Sequence, residues 1–186
     1  MAIIDYTYFI SEIAIAQRSQ DAVLEDLEFK IKKYEKDFLI KMFGFDMYED
    51  FVNGIEQSTI DEKWERLLKG FKEWQGFENE EKQSVIANYV YYFYTRDLYL
   101  QATGSGNVKP ENENSRTVIP VYKQVRAWNE MVDWICVLHK FLKSNISDYP
   151  NYKWRNISDP CCRSICVCGC SCGKRFPFVK INSLNI

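Results

Sequence analysis

The chain has 186 residues, 46% hydrophobic and 27% charged, which suits one well-buried globular domain and is short for two. Neither a signal peptide nor a membrane span is expected. The opening "MAIIDYTYFISEIAIAQ" lacks a basic region and is broken by Asp5 and Glu12, while the most apolar run, "SVIANYVYYFYT", is too short to cross a bilayer and ends at Arg96 and Asp97.

The net charge of −2 conceals an imbalance: residues 1–100 carry 12 basic and 20 acidic side chains, and residues 101–186 carry 12 and 6. Three readings stay open. The charges solvate surfaces, or the acidic face of one copy meets the basic face of the next, or the basic part lies near nucleic acid.

In chain order, residues 6–17, "YTYFISEIAIAQ", mix alternation with β-branched and aromatic residues and read as an extended arm. A long amphipathic helix follows, with Leu24, Leu27, Ile31, Tyr34, Phe38 and Met42 at steps of three and four. Ser19 is its expected N-cap, and Gly44 supplies the left-handed residue that ends it. Asp46 is expected to cap a short second helix burying Met47, Phe51 and Ile55. "TIDE" at residues 59–62 reads as a capping box, in which the Thr59 hydroxyl and Glu62 carboxylate satisfy free backbone N–H groups. The third helix then runs through Trp64 and Leu68 to a stop near Gly70.

A fourth helix is expected over residues 79–102. Its centre, residues 85–94, is apolar or aromatic on nearly every side, as in a helix surrounded by protein. Glu80 and Glu81 read as favourable charges in its first turn. "TGSGNVKPENENSRTVIP" then reads as a long exposed loop, a length uncommon without a task, ended by Pro120 at the first turn of a helix. That fifth helix, residues 121–143, repeats Val121, Val125, Trp128, Val132, Ile135 and Leu142, a stripe suited to packing on the fourth. Trp128 and Trp134 read as core. Beyond Ser144 the periodicity stops; a turn-rich stretch leads to the cysteines, and "RFPFVKINSLNI" closes the chain as a short strand. The fold class is therefore mainly α: a bundle of about five helices (19–144) with an extended N-terminal arm (1–18) and an irregular or β C-terminal tail (145–186).

The chemistry-bearing motifs are few. Six of the seven cysteines fall in "CCRSICVCGCSCGK". In a reducing cytoplasm they are expected as thiols or metal ligands rather than disulfides. Cys166, Cys168, Cys170 and Cys172 alternate, so on a straight strand their thiols stand roughly 7 Å apart along the chain. Thiolates on one zinc lie only about 4 Å apart, so the strand must bend at Gly169 and Gly173, with Cys161 and Cys162 folding back. The six are candidate zinc ligands. The competing reading is a row of small side chains against a neighbour, and no other cofactor is expected.

"GCSCGK" misses the phosphate-loop spacing by one residue and has Arg175 where Ser or Thr is required. His139, beside the fifth helix's stripe, reads as a hydrogen-bonded core histidine, and Cys136 one turn away lacks a third group. Asp97 continues the Ile86–Val90–Phe93 stripe and wants a partner, with Arg126 the candidate. Arg126 and Glu130 also sit at ion-pair spacing. No catalytic residues are expected.

"YFISEIAI", "FLIKMFGFDMYEDF", "EKQSVIANYVYYFYTRD", "TGSGNVKPENENS" and "VRAWNEMVDW", over residues 8–143, together with the closing "PFVKINSLNI", resemble the small head–tail connector (head-completion) proteins of tailed bacteriophages and prophages. The cysteine row departs from that pattern. The resemblance implies a non-enzymatic helical subunit in a homo-oligomeric ring between portal and tail, located in the virion neck and made in the bacterial host cytoplasm. Its partners would be further copies of itself, the portal protein, a tail or second neck protein, and DNA held non-specifically in the lumen, with no membrane. Expected contact residues are Tyr8, Phe9 and Ile10 in the arm; Gly104, Ser105, Gly106, Asn107, Val108 and Lys109 in the loop; and Phe176, Pro177, Phe178 and Ile181 in the tail. The rival reading is a zinc-binding cytoplasmic interaction protein that uses its cysteine row.

Overall fold

The computed structural model describes residues 2–16, 18, 20–98, 101–103, 106–108, 121–152 and 180–181, with backbone only for 101–103 and 106–108. It is mainly helical. Five α-helices lie among the described residues: α1 (Asp21–Phe43), α2 (Phe45–Ile55), α3 (Glu62–Lys69), α4 (Val85–Leu98) and α5 (Val121–Ser144). Two strands, β1 (Gln101–Thr103) and β2 (Gly106–Val108), form an antiparallel hairpin between α4 and α5, pairing Gln101 with Val108 and Thr103 with Gly106.

The centre of the molecule is α4, packed against α5 on one side and α1 on the other. Every residue from Val85 to Tyr91 is buried, which explains why its apolar residues follow no single stripe. Both neighbours run antiparallel to it. Gln124 Nε2 donates to Thr95 Oγ1 at 2.9 Å near one end of α5, and the Trp128 ring packs on Tyr89 further along. Lys30 reaches Asp97, whereas Lys41 Nζ donates to the Tyr89 hydroxyl at 2.9 Å.

The stripe expected on α1 is buried from Leu27 to Met42, joined by Leu39 and Phe43, while Leu24 is only half-buried. Gly44 ends α1 with φ 81° and ψ 165°, an extended rather than left-handed helical conformation that is still essentially reserved for glycine. The same residue precedes α2, so Asp46 lies inside the first turn and is not the cap. The capping box also fails. Helix α3 starts at Glu62 with Asp61 before it, which places Glu62 two residues too early to reach back to Thr59.

Helix α4 begins six residues later than expected. Asn79 Oδ1 accepts from the Gln83 N–H at 2.9 Å and its Nδ2 donates to the Gln75 carbonyl at 3.2 Å, so side-chain bonds hold this stretch in a turn. Lys82 within it has φ 56°, and the Ser84 hydroxyl then accepts from the Ile86 N–H to start the helix. The irregular stretch before α4 supplies Trp74 and Phe77. The Phe77 ring meets Phe38, Phe43, Phe51 and Trp74 edge-on at centroid distances of 5.3–6.5 Å.

The N-terminal stretch is not an extended arm. Tyr6–Tyr8 and Ser11–Ile13 are 3-10 turns, and Ile4, Tyr8 and Phe9 are buried in the same core as the helices. Asp5 accepts from the Thr7 N–H at 2.8 Å, and Arg18 Nη1 donates to the Phe9 carbonyl at 2.6 Å. Alternation over Tyr6–Ile15 mimics a strand, but the residues that reach the core follow no period of two. At the other end, Tyr149 and Tyr152 are also buried, with the Tyr149 hydroxyl donating to the Lys63 carbonyl at 2.8 Å. Ile4, Tyr8 and Phe9, before the boundary expected at residue 18, and Tyr149 and Tyr152, beyond that expected at 144, thus share the core of the helices.

Helix α2 lies on α3 through a missing side chain. A Cβ at Gly54 would stand 2.2 Å from the Trp64 ring, which Phe51 and Tyr149 hold edge-on at 5.9 and 5.7 Å. Gly54→Ala should lower stability by about 2–3 kcal/mol, read from the urea midpoint at unchanged m-value. Helix propensity alone would raise it by about 1 kcal/mol, so the sign of the change decides whether the contact governs.

Candidate functional site

Two surfaces gather the residues expected to make contacts. The first is the end of the bundle where the hairpin emerges. Antiparallel packing brings the start of α1, the end of α4 and the start of α5 to this end, and each carries an exposed apolar side chain: Phe29, Leu98 and Tyr122. Just inside, Asp97 Oδ2 accepts from Lys30 Nζ and from the Tyr34 hydroxyl, both at 2.8 Å, and Arg96 Nη2 approaches Oδ1 at 3.2 Å. Burial pushes the Asp97 carboxyl up, but these donors outweigh it and hold it below the usual carboxylate range. The expected Asp97–Arg126 pair is not formed, because α1 supplies Lys30 on the face where Asp97 points.

Of the loop residues, Gly106, Asn107 and Val108 form β2, and its partner β1 is the other member of a sheet of two strands. Gly104, Ser105 and Lys109 lie outside the described residues.

The second surface is a groove of about 740 Å³ between the N-terminal turns, the 81–84 turn and α5. Ile10 and Val125 contribute apolar wall. The rim is acidic, with Glu12, Glu81, Glu130 and Asp133 against Lys82 and Arg126. Arg126 Nη2 pairs with Glu12 Oε1 at 2.6 Å, joining α5 to the second N-terminal turn. Burial, followed by the charge of Glu12, pushes the Glu130 carboxyl up even though the residue keeps contact with solvent; Arg126 draws it down and Asp133 adds to the rise.

Tyr8, expected as a contact residue, lines this groove with its side chain nearly sealed, and the Lys82 ammonium lies 4.5 Å from its ring centroid. Among the described residues its hydroxyl finds no well-formed hydrogen-bond partner. Burial raises its pKa while the nearby Asn79 backbone draws it down. Phe9 is fully buried, so both are corrected from contact residues to core residues; Ile10 alone of the three keeps partial exposure.

At the groove's α5 edge sit the described residues of the C-terminal tail. The Ile181 N–H donates to Asn129 Oδ1 at 2.9 Å, and Asn129 Nδ2 donates back to the Ile181 carbonyl at 3.0 Å. One turn along α5, Asp133 takes Lys180 Nζ at 2.7 Å. The sequence gives no period for this seat, since Asn129 and Asp133 look like ordinary solvated positions of an amphipathic helix. Phe176, Pro177 and Phe178 lie outside the described residues.

So do Cys161, Cys162, Cys166, Cys168, Cys170 and Cys172, with the zinc reading attached to them. Among the described residues no three His, Cys, Asp or Glu side chains are grouped as for a metal. His139 is buried as expected, with Nδ1 2.7 Å from the Tyr152 hydroxyl, and Cys136 is buried beside it on α5. No helix among the described residues is long and apolar enough to cross a membrane. Compared with known proteins, the chain matches no family model, no curated protein and no solved structure.

Proposed function

We propose that this chain is a structural subunit of a phage head–tail connector, a ring between portal and tail with DNA passing through its lumen. The observation that carries the reading is the hairpin. Two strands of three residues are marginal in water by themselves, and each of these has one edge without a strand partner among the described residues. Such an edge accepts a further strand through main-chain hydrogen bonds, the mode by which a neighbouring chain adds to a sheet. It stands at the bundle end that also exposes Phe29, Leu98 and Tyr122, and the resemblance over residues 8–143 spans the helices that hold it there.

The imbalance of charge between the two halves suits head-to-tail contact between copies, which closes into a ring when the rotation allows. The virion neck is the corresponding location, with portal and tail proteins as partners.

The test is negative-stain imaging of the purified protein mixed with portal particles. The expected result is an annular layer beneath the portal, lost when a proline replaces Ala102 or Asn107 in the hairpin. A chain that stays single and leaves portal particles bare would overturn the reading. Stoichiometric zinc in protein purified under reducing conditions, with partner binding lost on chelation, would favour the metal-dependent alternative.

A further inference from the structure

Two polar residues one turn apart form the floor of the groove: Ser84, just before α4, and Asn88 on it. The Ser84 hydroxyl is engaged, since it accepts from the Ile86 N–H. Asn88 is not. It is only 7% exposed, what remains of its surface opens on the groove, and its side-chain amide finds no hydrogen-bond partner among the described residues. A buried amide left unpaired is destabilising, so its position is explained by something that enters the groove and bonds to it.

Around that floor, carboxylates stand on three separate elements: Glu12 on the second N-terminal turn, Glu81 on the turn before α4, and Glu130 on α5. Arg126 pairs with Glu12 at 2.6 Å, and the Lys82 ammonium lies over the Tyr8 ring. Glu81 and Glu130 have no ion-pair partner among the described residues. Burial, then the charges of Glu12 and Asp133, push the Glu130 carboxyl up against the pull of Arg126, a balance that a further cation reverses. The neighbouring Asp133 shows what such a carboxylate takes, holding the Lys180 ammonium at 2.7 Å.

The cation that suits this rim is an extended one. Among the described residues no three carboxylates are grouped as for a metal ion. Between the carboxylates the walls are apolar, with Ile10 and Ile13 on the N-terminal turns and Val125 on α5. Ammonium groups separated by runs of methylene match that alternation, whereas a phosphate or carboxylate ligand would meet charge of its own sign. The volume of about 740 Å³ is that of a small-molecule site. Ser11 (φ 51°) and Lys82 (φ 56°), the two non-glycine residues at positive φ among the described residues, both line it, and strained backbone of this kind gathers at ligand sites.

We propose that the groove binds a linear aliphatic polyamine. One ammonium donates to the Asn88 side-chain oxygen, others pair with Glu81 and Glu130, and the methylene runs lie along Ile10, Ile13 and Val125. The site is built within one chain and uses neither hairpin nor portal, so it is independent of the connector reading.

Isothermal titration calorimetry of the full-length protein with spermidine tests it, with magnesium chloride at matched ionic strength as the comparison cation. Saturable binding of one spermidine per chain is expected, and none of magnesium. Glu130→Gln, at an exposed position, and Asn88→Leu, which fills the space with an apolar side chain, should each weaken binding about tenfold. Glu49→Gln, an equal change of charge on α2 and outside the groove, should leave it unchanged. A urea midpoint no lower than that of the wild type reports that Asn88→Leu folds; should it not, Glu130→Gln carries the test. Equal heats for spermidine and magnesium, or equal losses from Glu49→Gln and Glu130→Gln, would reveal general charge attraction and overturn the site. So would an affinity for spermidine unchanged by both groove substitutions. Each of these outcomes leaves the imaging of portal particles to decide the connector reading by itself.

Discussion

Phe9→Ala should destabilise the folded chain by about 3–5 kcal/mol, the range for deleting a fully buried phenylalanine from a packed core. Phe9 is 0% exposed and lies in the cluster that α1, α4 and α5 share. Urea unfolding followed by tryptophan fluorescence measures the change. Phe29→Ala is the control: Phe29 is 63% exposed on α1, so its removal should move stability by no more than about 0.5 kcal/mol. Were residues 2–16 a free arm, the two substitutions would give the same small value. The comparison therefore asks whether the N-terminus belongs to the body, without reference to any partner.

The second large effect concerns pH and the same segment. Glu35 on α1 is buried, and its carboxylate accepts from the Ile3 N–H at 3.0 and 3.1 Å and from the Ile4 N–H at 3.3 Å. Burial pushes its pKa up to about 7, against the downward pull of those backbone donors. The folded state therefore holds this proton more tightly than the unfolded chain, where the group titrates near its ordinary value. Its contribution to stability is full below pH 4.5 and is lost as pH rises through 7.

Glu35→Gln keeps an acceptor oxygen for Ile3 and Ile4 and removes the titration. The stability of the wild type relative to this variant should fall by about 2–3 kcal/mol between pH 5 and pH 8. Parallel pH profiles for the two proteins would show instead that Glu35 titrates as an exposed carboxyl. The same loss loosens one wall of the groove, because Glu35 anchors the chain just before the turns that form it.

Much of the helical body is legible in the sequence because burial on one face forces a period. Leu27, Ile31, Tyr34, Phe38 and Met42 on α1 and Val125, Val132, Ile135 and Leu142 on α5 can face the core together only in a helix, and they do so. The near-continuous apolar run of α4 identifies it as the central helix for the related reason that all its sides are covered. Trp128 and Trp134, expected in the core, are half-buried at its edge.

Helix starts are less legible. Asn79 prefers side-chain bonds in a turn over helical ones, and Asp61 rather than Thr59 precedes α3. Those choices depend on where neighbouring elements fix the backbone.

What the sequence determined by itself is the helical class, the α1, α4 and α5 faces, the stops at Gly44 and Gly70, and a core position for His139. Only the tertiary structure decided that the N-terminal turns and Tyr149 belong to the core, that Asp97 answers to Lys30, and that Asn129 and Asp133 hold the tail. The physical reason is common to all three. Local periodicity records which way a side chain faces along its own element, whereas a partner distant in sequence is chosen by which elements pack together.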